Sequence, residues 1–130
     1  MLYDEKTSML PKVAVDMQLI NSDTTTVGNV IDLSGFDAAT FIVLAGVRTT
    51  GDATPLIEDS NDNITYAAVA DDFLIGTEAA AKVDATNEIT RVGYVGKKRY
   101  LRVSIVTATS ANLTVGAVCV LGKATNIPTA

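Results

Sequence analysis

Turn-forming residues interrupt this chain about every 8–12 residues, and the runs between them carry strand periodicity. Val13, Val15, Met17 and Leu19 alternate with Ala14, Asp16 and Gln18, a period of two that predicts a half-buried strand. Asn21-Ser22-Asp23 turns the chain, and Thr25 to Leu33 follows as a second strand with Val27 and Ile31 on one face. After Ser34-Gly35-Phe36-Asp37, the run Thr40 to Val47 is apolar on both faces, which predicts a central strand covered on each side. Thr50-Gly51-Asp52 breaks it, and Pro55 to Asp59 begins a short strand.

The middle is less regular. Asp59 to Asn63 is a polar turn, and Ala67 to Ile75 reads as one helical turn or a loop with Asp71-Asp72 at its start. Ala79-Ala80-Ala81 favours helix but is too short to stand alone. Glu88 to Val95 returns to strand, Gly96-Lys97-Lys98 reads as a hairpin connection, and Tyr100 to Thr107 alternates again. Ser110-Ala111-Asn112 turns, and Leu113 to Leu121 is a second run apolar on both faces. The expectation is an all-β, single-domain antiparallel β-sandwich or jelly roll over residues 13–122. An extended N-terminal arm (1–12, closed by Pro11) and a C-terminal tail (123–130) flank it.

At 130 residues, 48% hydrophobic and 19% charged, the chain can build a core without metal or disulfide staples. Much of the apolar content is Ala and Val, and Trp is absent. The single cysteine, Cys119, has no internal partner and sits in an apolar run, so it is expected to behave as a small buried hydrophobe. The opening Met1 to Lys6 shows no basic and then apolar leader, and no stretch approaches the roughly 20 apolar residues of a membrane helix. Synthesis in the cytoplasm, with no membrane partner, is the expectation.

Charge is segregated. All fifteen acidic residues lie at or before Glu88, against four basic ones in that stretch; the other six basic residues follow it, for a net charge of −5. Separated charge suits docking or self-association. The basic cluster Lys97, Lys98 and Arg99, with Arg91 and Arg102, is the strongest local feature, and its functional reading is contact with an acidic protein surface. An ordinary charged hairpin tip that keeps an edge soluble is the plainer reading. Nucleic acid is disfavoured by the negative total and the scarcity of aromatics. Leu2, Tyr3, Met9 and Leu10 are candidate apolar ties of the arm to a neighbouring subunit.

Catalytic chemistry finds little footing. Histidine is absent, which removes Ser-His-Asp and Cys-His arrangements. Ser104 and Ser110 lie in no recognisable motif. Asp59-x-Asn61-x-Asn63 resembles half of a calcium loop, but Ile64 and Ala70 stand where Gly and Glu are required. Glu58-Asp59 and Asp71-Asp72 are adjacent pairs, which point to opposite faces on a strand and make no dyad. Gly93-x-x-Gly96-Lys97-Lys98 is no phosphate-binding loop. No cofactor and no metal site is expected. With four Tyr and no Trp, a carbohydrate-binding platform is also disfavoured.

Three segments carry a resemblance: Asp32 to Phe41 (Asp-Leu-Ser-Gly-Phe-Asp-Ala-Ala-Thr-Phe), Val69 to Glu78, and Arg91 to Arg102. Together they make residues 13–122 similar to small tailed-phage and prophage proteins that decorate or cement the head. The resemblance implies a β-sandwich, often homotrimeric, bound to the major capsid protein on the exterior of the virion. The partner contacts expected on this reading are Arg91, Lys97, Lys98, Arg99 and Arg102, with Leu2, Tyr3 and Leu10 of the arm. A head–tail joining or tail-tube protein is the alternative.

Overall fold

The computed structural model describes residues 9–124. In chain order the strands are β1 (Leu10–Ile20), β2 (Thr25–Val27), β3 (Ile31–Asp32), β4 (Phe36–Ser60), β5 (Ala67–Ala68), β6 (Leu74–Ile75), β7 (Ile89–Tyr94) and β8 (Tyr100–Ala124). A single 3-10 turn, Asp71–Phe73, precedes β6. The all-β expectation holds.

Two strands organise the rest. β4 and β8 are each 25 residues long and pair antiparallel from Phe36 opposite Ala124 to Ser60 opposite Tyr100. Both bend at the same level. The register slips between Ala45 and Asp52, Gly51 is left-handed at φ +81°, and opposite it Thr109 and Ser110 are left-handed at 64° and 56°. The breaks expected at Thr50-Gly51-Asp52 and Ser110-Ala111-Asn112 are therefore corners within continuous strands, not ends of strands. Asp23 holds the β8 corner, accepting the backbone N–H of Ala111 at 2.9 Å.

Bending this ladder produces two layers. In the first, the order is β1, the C-terminal arm of β8, the N-terminal arm of β4, β7 and β6. In the second, β2 and β3 flank the N-terminal arm of β8, which pairs with the C-terminal arm of β4 and, beyond it, β5. Odd-numbered residues of both long strands face inward: Phe41, Val43, Leu113, Val115 and Leu121 in one layer, Ile57, Leu101, Val103 and Ile105 in the other, all fully buried. Each such side chain is worth about 1.5–3 kcal/mol of burial. Cys119 belongs to this core, as its apolar run implied.

Four local expectations need correction. β1 begins at Leu10, so Pro11 lies inside a strand and does not close an arm. Val15 is buried as the alternation predicts, but register shifts on either side of it leave Val13, Met17 and Leu19 exposed and bury Ala14, the reverse of what a simple alternation assigns to those four. Thr25 to Leu33 is two short strands, because Gly28 is pressed between the carbonyls of Val103 and Ala14 and leaves no room for a Cβ; Val27 is exposed and Ile31 buried. Finally, β7 and β8 do not pair. Both flank β4, so Gly96-Lys97-Lys98 is no hairpin connection; it crosses from the first layer to the second.

Candidate interaction surface

Four contacts, and a tyrosine–aspartate bond beneath them, hold the crossing segment Val95–Arg99 at one end of the molecule. Val95 N–H donates to Phe73 O at 2.8 Å, and Leu33 N–H donates to Arg99 O at 2.7 Å. Lys98 N–H donates to Tyr94 Oη at 3.2 Å, and Tyr94 Oη donates to Asp59 Oδ2 at 2.9 Å. Lys98 Nζ closes the ring 3.5 Å from Asp59 Oδ1. Gly96 lies flat on the Tyr94 phenol, where any side chain would overlap the hydroxyl. Burial pushes the Tyr94 hydroxyl up to about 12, so it stays protonated and donating. Beside the segment is an open hollow of about 490 Å³ lined by Leu33, Ser34, Phe36 and residues 95–99.

The five cations singled out in the sequence reach different places. Lys98 is paired with Asp59, as just described. Arg99 makes a two-pronged contact with Asp32, both hydrogen bonds at 3.0 Å, and its guanidinium lies 5.0 Å from the Tyr100 ring. Arg102 bonds Glu58 at 3.0 Å and sits over Tyr66 at 4.1 Å. Lys97 lines the hollow, and neither it nor Arg91 has an ion pair among the described residues. Arg91 is on β7, far from this end in the register, opposite Ile42. Leu10 opens β1 opposite Leu121 and is 41% exposed. Leu2 and Tyr3 lie outside the described residues.

Folding thus neutralises much of the charge segregation seen in the sequence. Antiparallel pairing lays the basic β8 against acidic segments of the same chain; Glu58 and Arg102 are direct cross-strand partners. Asp59 and Glu58 do point to opposite faces, one to Tyr94 and the other to Arg102. The Asp59–Asn63 turn is capped by Asp62, whose Oδ1 accepts from Ile64 N–H at 2.9 Å and Thr65 N–H at 3.0 Å. Its carboxyl is held down at about 2 by these bonds. Among the described residues no group of acids or cysteines is placed to hold a metal. Cys119 is fully buried, and that burial lifts its thiol to about 12, far from the thiolate that nucleophilic work needs.

The two outer faces differ sharply. On the second layer, Glu58, Arg102 and Tyr66 form a polar cluster, with the Asp32–Arg99 pair beside it. On the first layer, cross-strand rows run Val13–Val118–Ile42–Arg91 and Pro11–Val120–Thr40–Gly93–Ile75. A third row holds Gly116, Leu44 and Ile89. Arg91 is the one charge in those rows. The sequence predicted cover for both doubly apolar runs; in the structure their even-numbered faces look outward, with Leu44 39% exposed. An apolar run with no polar alternation marks a surface covered by something, and nothing in it says whether by this chain or another.

No protein-family model and no curated protein matches the chain. Solved structures do, and they define its class as a jelly-roll β protein. It is similar to XepA, an exported protein of PBSX, with a TM-score of 0.64 and 15% identity over 93% of this chain and 39% of that one. It is also similar to VP2 of infectious bursal disease virus in a subviral particle, with a TM-score of 0.54 and 16% identity over 92% of this chain and 33% of that one. A Bacillus endospore appendage subunit from disulfide-linked pili follows at a TM-score of 0.50 and 14% identity, covering 88% of each chain. This chain spans well under half the length of the first two.

Proposed function

We propose that this chain is a structural, non-enzymatic subunit of a tailed-phage or prophage particle. In this reading it decorates the capsid exterior, seated where capsomers of the major capsid protein meet. The observation that carries it is the jelly roll built on two bent 25-residue strands, a fold it has in common with the PBSX exported protein XepA and with VP2 of a subviral particle. Consistent with it, three of the five cations of the cluster, Lys98, Arg99 and Arg102, are spent on Asp59, Asp32 and Glu58, and Lys97, without an ion pair among the described residues, lies at one end of the molecule beside an open hollow.

Co-sedimentation with DNA-free shells of the encoding phage tests this. The purified protein should pellet with the shells at a saturable ratio, and Lys97→Glu should weaken that binding several-fold at low salt. Protein left in the supernatant at every ionic strength discards the reading. Copurification with neck or tail rings in place of shells would support the head–tail joining or tail-tube alternative.

A further inference from the structure

We propose that the outer face of the first layer is an interface between two copies of this chain, packed sheet against sheet about a two-fold axis. The proposal does not depend on the capsid reading. Its starting point is the contrast between two faces of one molecule. The second layer's outside carries ion pairs, as a wetted sheet should. The first layer's outside is aliphatic along strand after strand: Val13, Ile42, Leu44, Val118 and Ile89 lie on it with a single cation. Contiguous apolar surface of this kind on a soluble chain marks a contact.

The occupant follows from charge and area. A charged partner surface would bury its own ions against aliphatic side chains, which is costly. The matching surface available is the same face on another copy, and like-on-like contact is what a two-fold interface consists of. Strands about 4.8 Å apart, rising about 3.4 Å per residue along Leu113–Leu121, make this four-stranded face roughly 600 Å². Two such faces remove about 1,200 Å², the lower end of stable specific interfaces. The single cation fits as well. Arg91 sits on β7 at one margin, and the one carboxylate of β1, Asp16, is exposed at the other. A two-fold axis parallel to the strands, between β8 and β4, lays β7 of one copy over β1 of the other and sets Arg91 at the level of the second copy's Val13, with Asp16 about two residues, roughly 7 Å, further along and within the span of an extended arginine.

Sedimentation equilibrium of the full chain decides this. Wild type should be a dimer, and so should Val27→Lys, which places a charge on the second layer at a site 57% exposed. Leu44→Lys should raise the dimer Kd by about 100-fold or more, with an unchanged far-UV circular dichroism spectrum. Should that variant not fold, Ile89→Lys on β7, 63% exposed, reads the same face. Arg91→Asp should weaken the dimer and Arg91→Asp with Asp16→Arg should restore it. A wild-type monomer or trimer at about 100 µM, an unshifted dimer in the lysine variants, or a charge swap that fails to restore would each overturn the proposal.

Discussion

Tyr94 of the first layer and Asp59 of the second are joined by a buried hydrogen bond of 2.9 Å, phenol to carboxylate. The same phenol oxygen accepts Lys98 N–H, so one side chain ties both layers to the crossing segment. Tyr94→Phe keeps the ring but leaves a carboxylate that is 8% exposed without its donor and an amide without its acceptor. The expected loss is about 2–3 kcal/mol, read from urea unfolding. Faster hydrogen exchange at Lys98 should accompany it. An unchanged unfolding midpoint would mean that water replaces the phenol at no cost.

The alkaline limit of stability should carry the signature of two buried acids. Tyr94 is raised from 10.0 and Cys119 from 9.0, each to about 12, chiefly because burial disfavours the ionised form. Since the folded values lie above the unfolded ones, the unfolded chain releases these protons first. Stability is therefore whole below about pH 9 and declines as pH rises toward 12. Urea midpoints measured across that range should fall from pH 9 in wild type. In Cys119→Ala the decline should begin near pH 10, and adding Tyr94→Phe should remove most of what is left, the remainder belonging to Tyr66, which burial also raises above 10.0.

Two left-handed glycines separate strain from collision. At Gly35, φ is +90° and a Cβ would meet nothing within 4 Å; at Gly51, φ is +81° and a Cβ would lie 2.5 Å from Ala111 Cα and 2.6 Å from Ala108 O. Gly35→Ala should cost about 1–2 kcal/mol, the backbone penalty alone. Gly51→Ala should cost at least about 2 kcal/mol more, because the corners of β4 and β8 must separate. Equal costs in thermal unfolding would show that the two corners do not bear on each other.

Local chemistry made the strands legible and left their partners hidden. Period-two runs and turn clusters located β4, β7 and β8, and Gly51 was visible as an interruption. What the sequence could not distinguish is a chain that stops from one that bends: Thr50-Gly51-Asp52 reads alike in both, and the register of Asp52 with Ala108 decides it. The Gly96-Lys97-Lys98 link failed as a hairpin for a related reason. A short polar link suits either a two-strand turn or a step between layers, and the buried Tyr94–Asp59 bond, 35 residues apart in sequence, selects the step. Among the basic residues, composition marked the cluster but not its neutralisation, since Arg102 finds Glu58 only through strand register.

Acid should loosen one turn before the core. Asp62 is lowered from 3.8 to about 2 by the N–H groups of Thr65 and Ile64 and by the Ser60 hydroxyl. A depressed folded value means that this contribution is present above about pH 4 and is lost as pH falls toward 2. The amides of Ile64 and Thr65 should lose exchange protection in that window while Leu113 and Val103 keep theirs. Asp62→Ala should show the loosened turn already at neutral pH. Protection that persists at pH 2 would rule out the carboxylate as the cap.

Arg102 and Arg99 offer a paired test of what the internal ion pairs contribute. Arg102 and Glu58 have side chains 27% and 18% exposed, and Tyr66 stacks under the guanidinium at 4.1 Å. Arg99 and Asp32 are 55% and 39% exposed, open to water and salt. Arg102→Met should therefore cost about 1–2 kcal/mol and resist screening. Arg99→Met should cost under about 1 kcal/mol, and added salt should erase the difference from wild type. Lys97→Glu, with no ion pair to break among the described residues, should leave stability unchanged while lowering shell binding. Urea unfolding at low and high salt beside the sedimentation assay separates the cations that hold the fold from Lys97, which has no ion pair among the described residues and is proposed to meet the shell. Loss of shell binding in Arg102→Met at full stability would reverse that assignment.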